Sequence, residues 1–311
     1  MMENSLIRDR YVNPYTDFGF KKLFGTAMNK ELLISFLNAL LFGGEEVIGD
    51  ITYLNTEHLG GGELDRKAVF DVYCEGQHGE KFLVEMQKCE QAFFKDRSLY
   101  YATFPIREQA RRGTWNYELK AVYAIAVLNF EFDGGENEVT FKHDIKLMDV
   151  NTKKVFYDKL SFVYLEMPKF NKKEAELSTM MDKWLFVLKN LSSLLERPAA
   201  LQDRVFKKLF EAAEIAKFTP RELNEYEDSL KNYRDMFSVI STAEQKGHAA
   251  GLAEGLEQGI AKGLEQGLEQ GRTEGEIRKA MEIARALKSS GMPLAEISRI
   301  TGLSNEKLAE L

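Results

Sequence analysis

The chain is 311 residues long, with 44% hydrophobic and 29% charged residues and only 6 prolines, a composition that excludes wholesale disorder and leaves room for two domains or one large domain with appendages. A formal charge of −7 excludes a globally basic nucleic-acid coat, so polyanion binding must come from a local groove. Two cysteines, Cys74 and Cys89, are too few for a disulfide framework or a four-cysteine zinc site, and no run approaches 18 apolar residues, which points to a cytoplasmic protein with no membrane partner.

Asn29 stands where a helix N-cap is expected and Glu31 falls in the first turn. Leu32, Leu33, Phe36, Leu37, Leu40 and Leu41 then recur at helical spacing, predicting a helix over 30–41. Gly43 and Gly44 end it, and a loop holding Gly60, Gly61 and Gly62 follows a short apolar patch at 51–54. Residues 67–74 and 80–87 are two runs rich in Val, Phe and Tyr around a glycine-containing turn, the signature of a β-hairpin. A helix over 94–111 and strands over 117–132, 139–147 and 154–167 come next. From 173 onward the period is helical, with breaks at Pro198 and Pro220. Eight glycines then recur at every fourth position from 247 to 275, with Leu252, Leu256, Ile260, Leu264 and Leu268 beside them. Residues 277–311 read as a helix, a turn at 289–293 and two short helices.

Side chains alternate faces along a strand, so Glu85 and Gln87 share one face while Phe82, Val84 and Met86 take the other. If the turn pairs the two runs, Asp71 converges with Glu85. Two carboxylates on a rigid sheet beside an apolar face suit a hard divalent cation, which would polarise a phosphate and lower the pKa of an attacking water. The neutral amide of Gln87 could orient that water without competing for the ion. The same spacing also describes the solvated face of an antiparallel sheet.

The order Asp, turn, Glu-X-Gln resembles the PD-(D/E)XK nuclease core. Together with Thr16-Asp-Phe-Gly-Phe-Lys-Lys-Leu-Phe-Gly25, the helix from Asn29 to Leu41, Phe93-Phe-Lys-Asp-Arg-Ser-Leu-Tyr-Tyr101 and Leu165-Glu-Met-Pro-Lys-Phe170, it resembles the recombination-promoting nuclease and transposase family from about Tyr11 to beyond Pro198. The resemblance implies an α/β fold: a restriction-endonuclease-like mixed β-sheet core flanked by helices, here over 1–170, with an all-α C-terminal extension. That extension divides into a helical region over 171–240, a glycine stem or linker over 241–279 and a small tail over 280–311. It also implies a metal-dependent DNA endonuclease using Mg²⁺ or Mn²⁺ and linked to recombination or mobile elements. Asp71 and Glu85 would be metal ligands joined by the Met86 backbone carbonyl, with Glu31 as a further carboxylate. Gln87 stands where the general motif has Lys, removing a cation, and Phe70 stands where it has Pro. Lys21, Lys22, Lys95 and Arg97 are candidate phosphate contacts, and Tyr100 and Tyr101 are candidates for packing on sugar or base. A catalytically weak nuclease-fold protein that self-associates is the alternative.

In a helix each glycine costs about 1 kcal/mol relative to Ala, roughly 8 kcal/mol in all. Close approach of two backbones offsets such a cost. Four residues advance about 400°, so the stripe drifts by about 40° per step and a partner must wind right-handedly. The stem is therefore expected to join copies of the chain through 247–275, the other reading being a flexible linker rich in Gly, Glu and Gln. The tail resembles a helix-turn-helix, with Gly302 at the turn and Ser304 as a cap. Its second helix carries Glu306, Glu310 and a single Lys, poor equipment for a major groove, so a packing module or dimer cap is the competing reading.

Overall fold

The computed structural model describes residues 9–58, 68–110, 115–132 and 139–311. The expected loop at Gly60 to Gly62 and the ends of two expected elements, Lys67 and Arg111, lie outside the described residues. The chain divides into two compact units, Met1–Met236 and Phe237–Leu311.

Helix α1 (Asp17–Phe24) starts where the Thr16 hydroxyl accepts the Gly19 N–H at 3.0 Å, an N-cap that satisfies an otherwise orphaned donor. The same Thr16 hydroxyl donates to the Asn13 carbonyl oxygen at 2.7 Å. This wrapped start leaves no room for a side chain at Gly19: a Cβ there would lie 2.0 Å from the Asn13 carbonyl oxygen. Helix α2 (Lys30–Leu41) follows as the sequence predicts and buries Leu32, Leu33, Phe36, Leu37 and Leu40. Asn29 occupies its N-cap position without capping; its side-chain amide donates to the Lys22 carbonyl instead, tying α2 to α1.

Six strands form one sheet in the order β1-β4-β5-β6-β8-β7. They are β1 (Ile51–Tyr53), β4 (Val72–Gly76), β5 (Lys81–Gln87), β6 (Val122–Leu128), β7 (Lys142–Met148) and β8 (Val155–Glu166), while β2 (Glu57–His58) and β3 (Ala68–Val69) make a separate pair. β5, β6 and β8 run parallel, and the remaining pairings in the sheet are antiparallel. β4 and β5 are the expected hairpin. Its turn closes through Gly79, whose N–H donates to the Gly76 carbonyl at 3.0 Å and whose φ of +90° favours glycine.

Alternation gives the sheet two different faces. Cys74, Phe82, Val84, Ile125, Val127 and Val163 belong to the larger core, which includes buried residues of α1, α2, α4 (Met180–Asn190) and α5 (Arg204–Ala213). Within it the buried Trp184 ring lies 5.1–5.7 Å from Phe24, Phe36 and Phe206. On the other face, Ala124, Ala126, Phe162 and Tyr164 pack with Phe94 and Ala102 of α3 (Phe94–Glu108). β6 is shorter than its apolar run suggests. Ahead of it the chain turns at Asn116, whose side chain accepts the Glu118 N–H at 3.1 Å, and at Tyr117, whose φ is +64°.

Helix α6 (Pro220–Ser289) begins at Pro220, a residue suited to the first helical position, so the expected break falls before it. In the second unit it continues through the glycine repeat. A Cβ at any of those eight glycines would meet nothing within 4 Å, and the five neighbouring Leu and Ile side chains are 63–67% exposed. Helices α7 (Leu294–Thr301) and α8 (Asn305–Ala309) close a small core of Ala284, Ile297, Leu303 and Leu308. Gly302 ends α7 at φ +71°, and the Ser304 hydroxyl accepts the Lys307 N–H to cap α8. Among the described residues, no helix is long and apolar enough to cross a membrane.

Candidate active site

A cleft of about 260 Å³ lies where β4 begins and β5 ends, lined in part by Asp17, Asp71, Glu85, Gln87, Lys88 and Arg97. The hairpin register pairs Val72 with Val84, and one more step sets Asp71 against Glu85. Asp71 sits in the bend just ahead of β4, where its Oδ2 accepts the Met86 N–H at 2.8 Å. That bond fixes the carboxylate beside the neighbouring strand. Glu85 lies on the face covered by α3, as alternation requires, and its Oε2 accepts from Gln87 Nε2 at 2.9 Å.

Both ends of the Gln87 amide are engaged. Its Oε1 accepts from the Arg97 guanidinium, which also donates to Gln91. A carboxylate can only accept and a guanidinium only donate, so the amide orientation is fixed by its partners. The amide that the sequence reading assigned to orienting a water links Glu85 to Arg97. Arg97 projects from α3 with its charged group 5.7 Å from the centres of the Phe94 and Tyr101 rings.

Neither carboxyl ionises easily. Burial pushes Glu85 up to about 8, and the Asp71 charge adds to the rise while Arg97 and the Gln87 amide oppose it. Burial also raises Asp71; the Met86 N–H pulls it back, Asp17 pushes it up, and Lys21 and Lys88 lower it. Two buried carboxyls lining one cleft, the charge of one raising the other, favour a cation between them. Among the described residues, no group of three or more His, Cys, Asp or Glu side chains could hold a metal ion. The two carboxylates present fit an ion such as Mg²⁺, which takes one or two of them and fills its shell with water and phosphate oxygens.

Residues 14–243, more than half of the chain and including the whole cleft, match the family described as PD-(D/E)XK nuclease family transposase. The chain belongs to this family. No curated protein and no solved structure matches the chain. The mixed six-stranded sheet flanked by helices is consistent with the restriction-endonuclease-like fold of PD-(D/E)XK nucleases, which are hydrolases that generally use divalent metals.

Within this PD-(D/E)XK chain the structure brings together Asp71, Glu85, Met86, Gln87 and Arg97, and Lys21 is close enough for its charge to act on Asp71. Other candidates have partners elsewhere. Glu31 pairs with Lys208 at 2.6 Å, Lys22 pairs with Glu222, Lys95 lies 4.9 Å from the centre of the Phe132 ring, and Tyr100 packs edge-on against Phe104 at 5.1 Å. None of these four lines the cleft. The charged lining residues that escaped the sequence reading are Asp17 and Lys88, whose side chains pair at 2.7 Å. Asp17 and Lys21 are four apart at the start of α1, which sets them on one helix face, and Lys88 directly follows the Glu-X-Gln run; those were the available signals.

Proposed function

We propose that this protein is a DNA endonuclease that hydrolyses phosphodiester bonds with Mg²⁺ or Mn²⁺ held by Asp71, Glu85 and the Met86 backbone carbonyl. The observation that supports it most is the meeting of Asp71 and Glu85 across the hairpin in a cleft, both resisting ionisation. A bound divalent ion would polarise the scissile phosphate and lower the pKa of the attacking water. The two carboxylates fix where positive charge sits, with Met86 and Gln87 holding their orientation. Arg97 and Lys21 draw the DNA backbone into the cleft, and Arg97 restores the cation that Gln87 removes from the motif. Lys22, Lys95 and Tyr100 do not line the cleft and have no part in this reading.

Plasmid nicking tests the proposal. The wild-type chain should nick DNA with Mg²⁺ or Mn²⁺ and stop when the metal is chelated. Asp71→Ala and Glu85→Ala should lose nicking while keeping the wild-type circular dichroism spectrum. Unchanged nicking in both variants would place the activity outside this cleft.

Self-association through 247–275 is the second part of the proposal. The glycines there have open space at Cβ and the adjacent Leu and Ile side chains are exposed, as a helix awaiting a close partner would have them. Deleting 247–275 should lower the mass in solution, and an unchanged mass would remove the stem from assembly.

A further inference from the structure

β7 is an edge strand of the six-stranded sheet, hydrogen-bonded only to β8 among the described residues. β8 extends past β6 by its first five residues, 155–159, so the β7–β8 hairpin overhangs the sheet. The overhang is apolar yet uncovered: Leu147, Met148 and Val155 are 50–52% exposed and Phe156 is 80% exposed, and Ile145 beside it on the edge strand is 43% exposed. Edge strands of this kind are sites of strand addition unless something blocks them. Register shifts at 146/147 and 147/148 confine the regular ladder with β8 to Lys142 through Lys146.

The backbone shows which groups face outward. The Glu166 N–H donates to the Phe141 carbonyl at 2.8 Å, so Phe141 points its polar groups at β8. In an antiparallel ladder this direction alternates; Phe141, His143 and Ile145 therefore face β8, while Lys142, Asp144 and Lys146 present their N–H and C=O groups to solvent. A second copy of β7 pairing antiparallel must place these even-numbered residues opposite one another. Centring the pair on Asp144 sets Asp144 against itself and Lys142 against Lys146, which repel. Centring it on His143 sets Lys142 against Asp144 twice but forces two histidines together, although each is bound to its own buried Glu166 at 2.9 Å. Centring it on Ile145 sets Asp144 against Lys146 twice and Ile145 against Ile145. Asp144 now pairs with Lys142 on its own strand at 3.0 Å, an exposed contact that is easily exchanged.

We infer that β7 docks on β7 of a second copy of this chain about a two-fold axis through Ile145. Two sheets thereby join edge to edge, with reciprocal Asp144–Lys146 pairs as the lock. This interface is independent of the cleft and of the glycine stem.

The test uses the full chain. Ile145 would face its twin as a non-hydrogen-bonded pair with Cα atoms about 4.5 Å apart, within disulfide range. With Cys89→Ser as background, Ile145→Cys should form a covalent dimer on mild oxidation. Adding Asp144→Lys should abolish the cross-link and lower the mass measured by light scattering. Adding Lys146→Asp as well should restore both. A cross-link and mass that ignore the charge reversal would overturn the inference. So would the absence of any cross-link in Ile145→Cys, which would leave the edge to a strand from another protein.

Discussion

Glu85 sits where two demands on one carboxyl oppose each other, since the fold keeps it protonated and the proposed chemistry needs it charged. Its folded value of about 8 lies above its ordinary 4.5, so between those limits the folded state retains a proton that the unfolded state releases. Stability should fall as pH rises through that window and level off above about 8, at a rate of up to about 1.4 kcal/mol per pH unit. Melting temperatures of wild type and Glu85→Gln between pH 5 and 9 check this: wild type should fall steadily relative to the variant as pH rises, and a constant difference refutes it. Because a metal ion competes with that proton, the stabilisation given by Mg²⁺ should grow over the same window. Arg97 allows a second experiment at this scale. Gln87→Lys places a new cation beside Arg97 and should cut the cleavage rate at saturating DNA about tenfold, roughly 1.4 kcal/mol. Gln87→Lys with Arg97→Gln should recover most of that rate, and a double variant as slow as the single would deny Arg97 its role. Asp71 and Glu85 were legible because strand alternation and a turn are local. Lys88 and Asp17 were not, because their meeting depends on how α1 docks near the end of β5, and Glu31 was ambiguous because a carboxylate in the first turn also suits the helix itself.

Among the elements, α1 is the most tightly constrained at its start and α6 the least constrained along its length. Gly19→Ala drives a methyl into the Asn13 carbonyl and should destabilise the first unit by on the order of 3 kcal/mol, read as a lowered denaturation midpoint. The eight stem glycines should behave in the opposite way. Replacing Gly255, Gly259 and Gly263 by Ala adds side chains where nothing stands within 4 Å, so helix stability should rise by about 1 kcal/mol per site. Association should weaken at the same time if backbones meet there; a gain in both would mean that the Leu and Ile side chains alone carry the contact. The α2 boundaries and the β4–β5 hairpin followed from periodicity and turn residues. β1 did not, since a three-residue strand is recognisable only by its pairing with β4. For the glycine segment the Leu and Ile spacing favoured a helical stem only slightly, because its composition suits a linker as well.

For the whole molecule, the charge of −7 opposes DNA everywhere except where cations gather. Affinity should therefore fall steeply with salt, and Lys21→Ala should reduce the slope of log affinity against log salt by about one, measured by fluorescence anisotropy with the Asp71→Asn variant to prevent cleavage. An unchanged slope would remove Lys21 from the DNA path. The glycine repeat bears on assembly in another way. Its steps are nearly identical, and each carries the chain forward about 6 Å. Two such stems that slide past one another by a single step meet almost the same surface again, so the repeat can supply adhesion without fixing alignment. Whatever places one copy against the next at a defined offset has to lie elsewhere in the chain, at a contact whose sequence does not repeat.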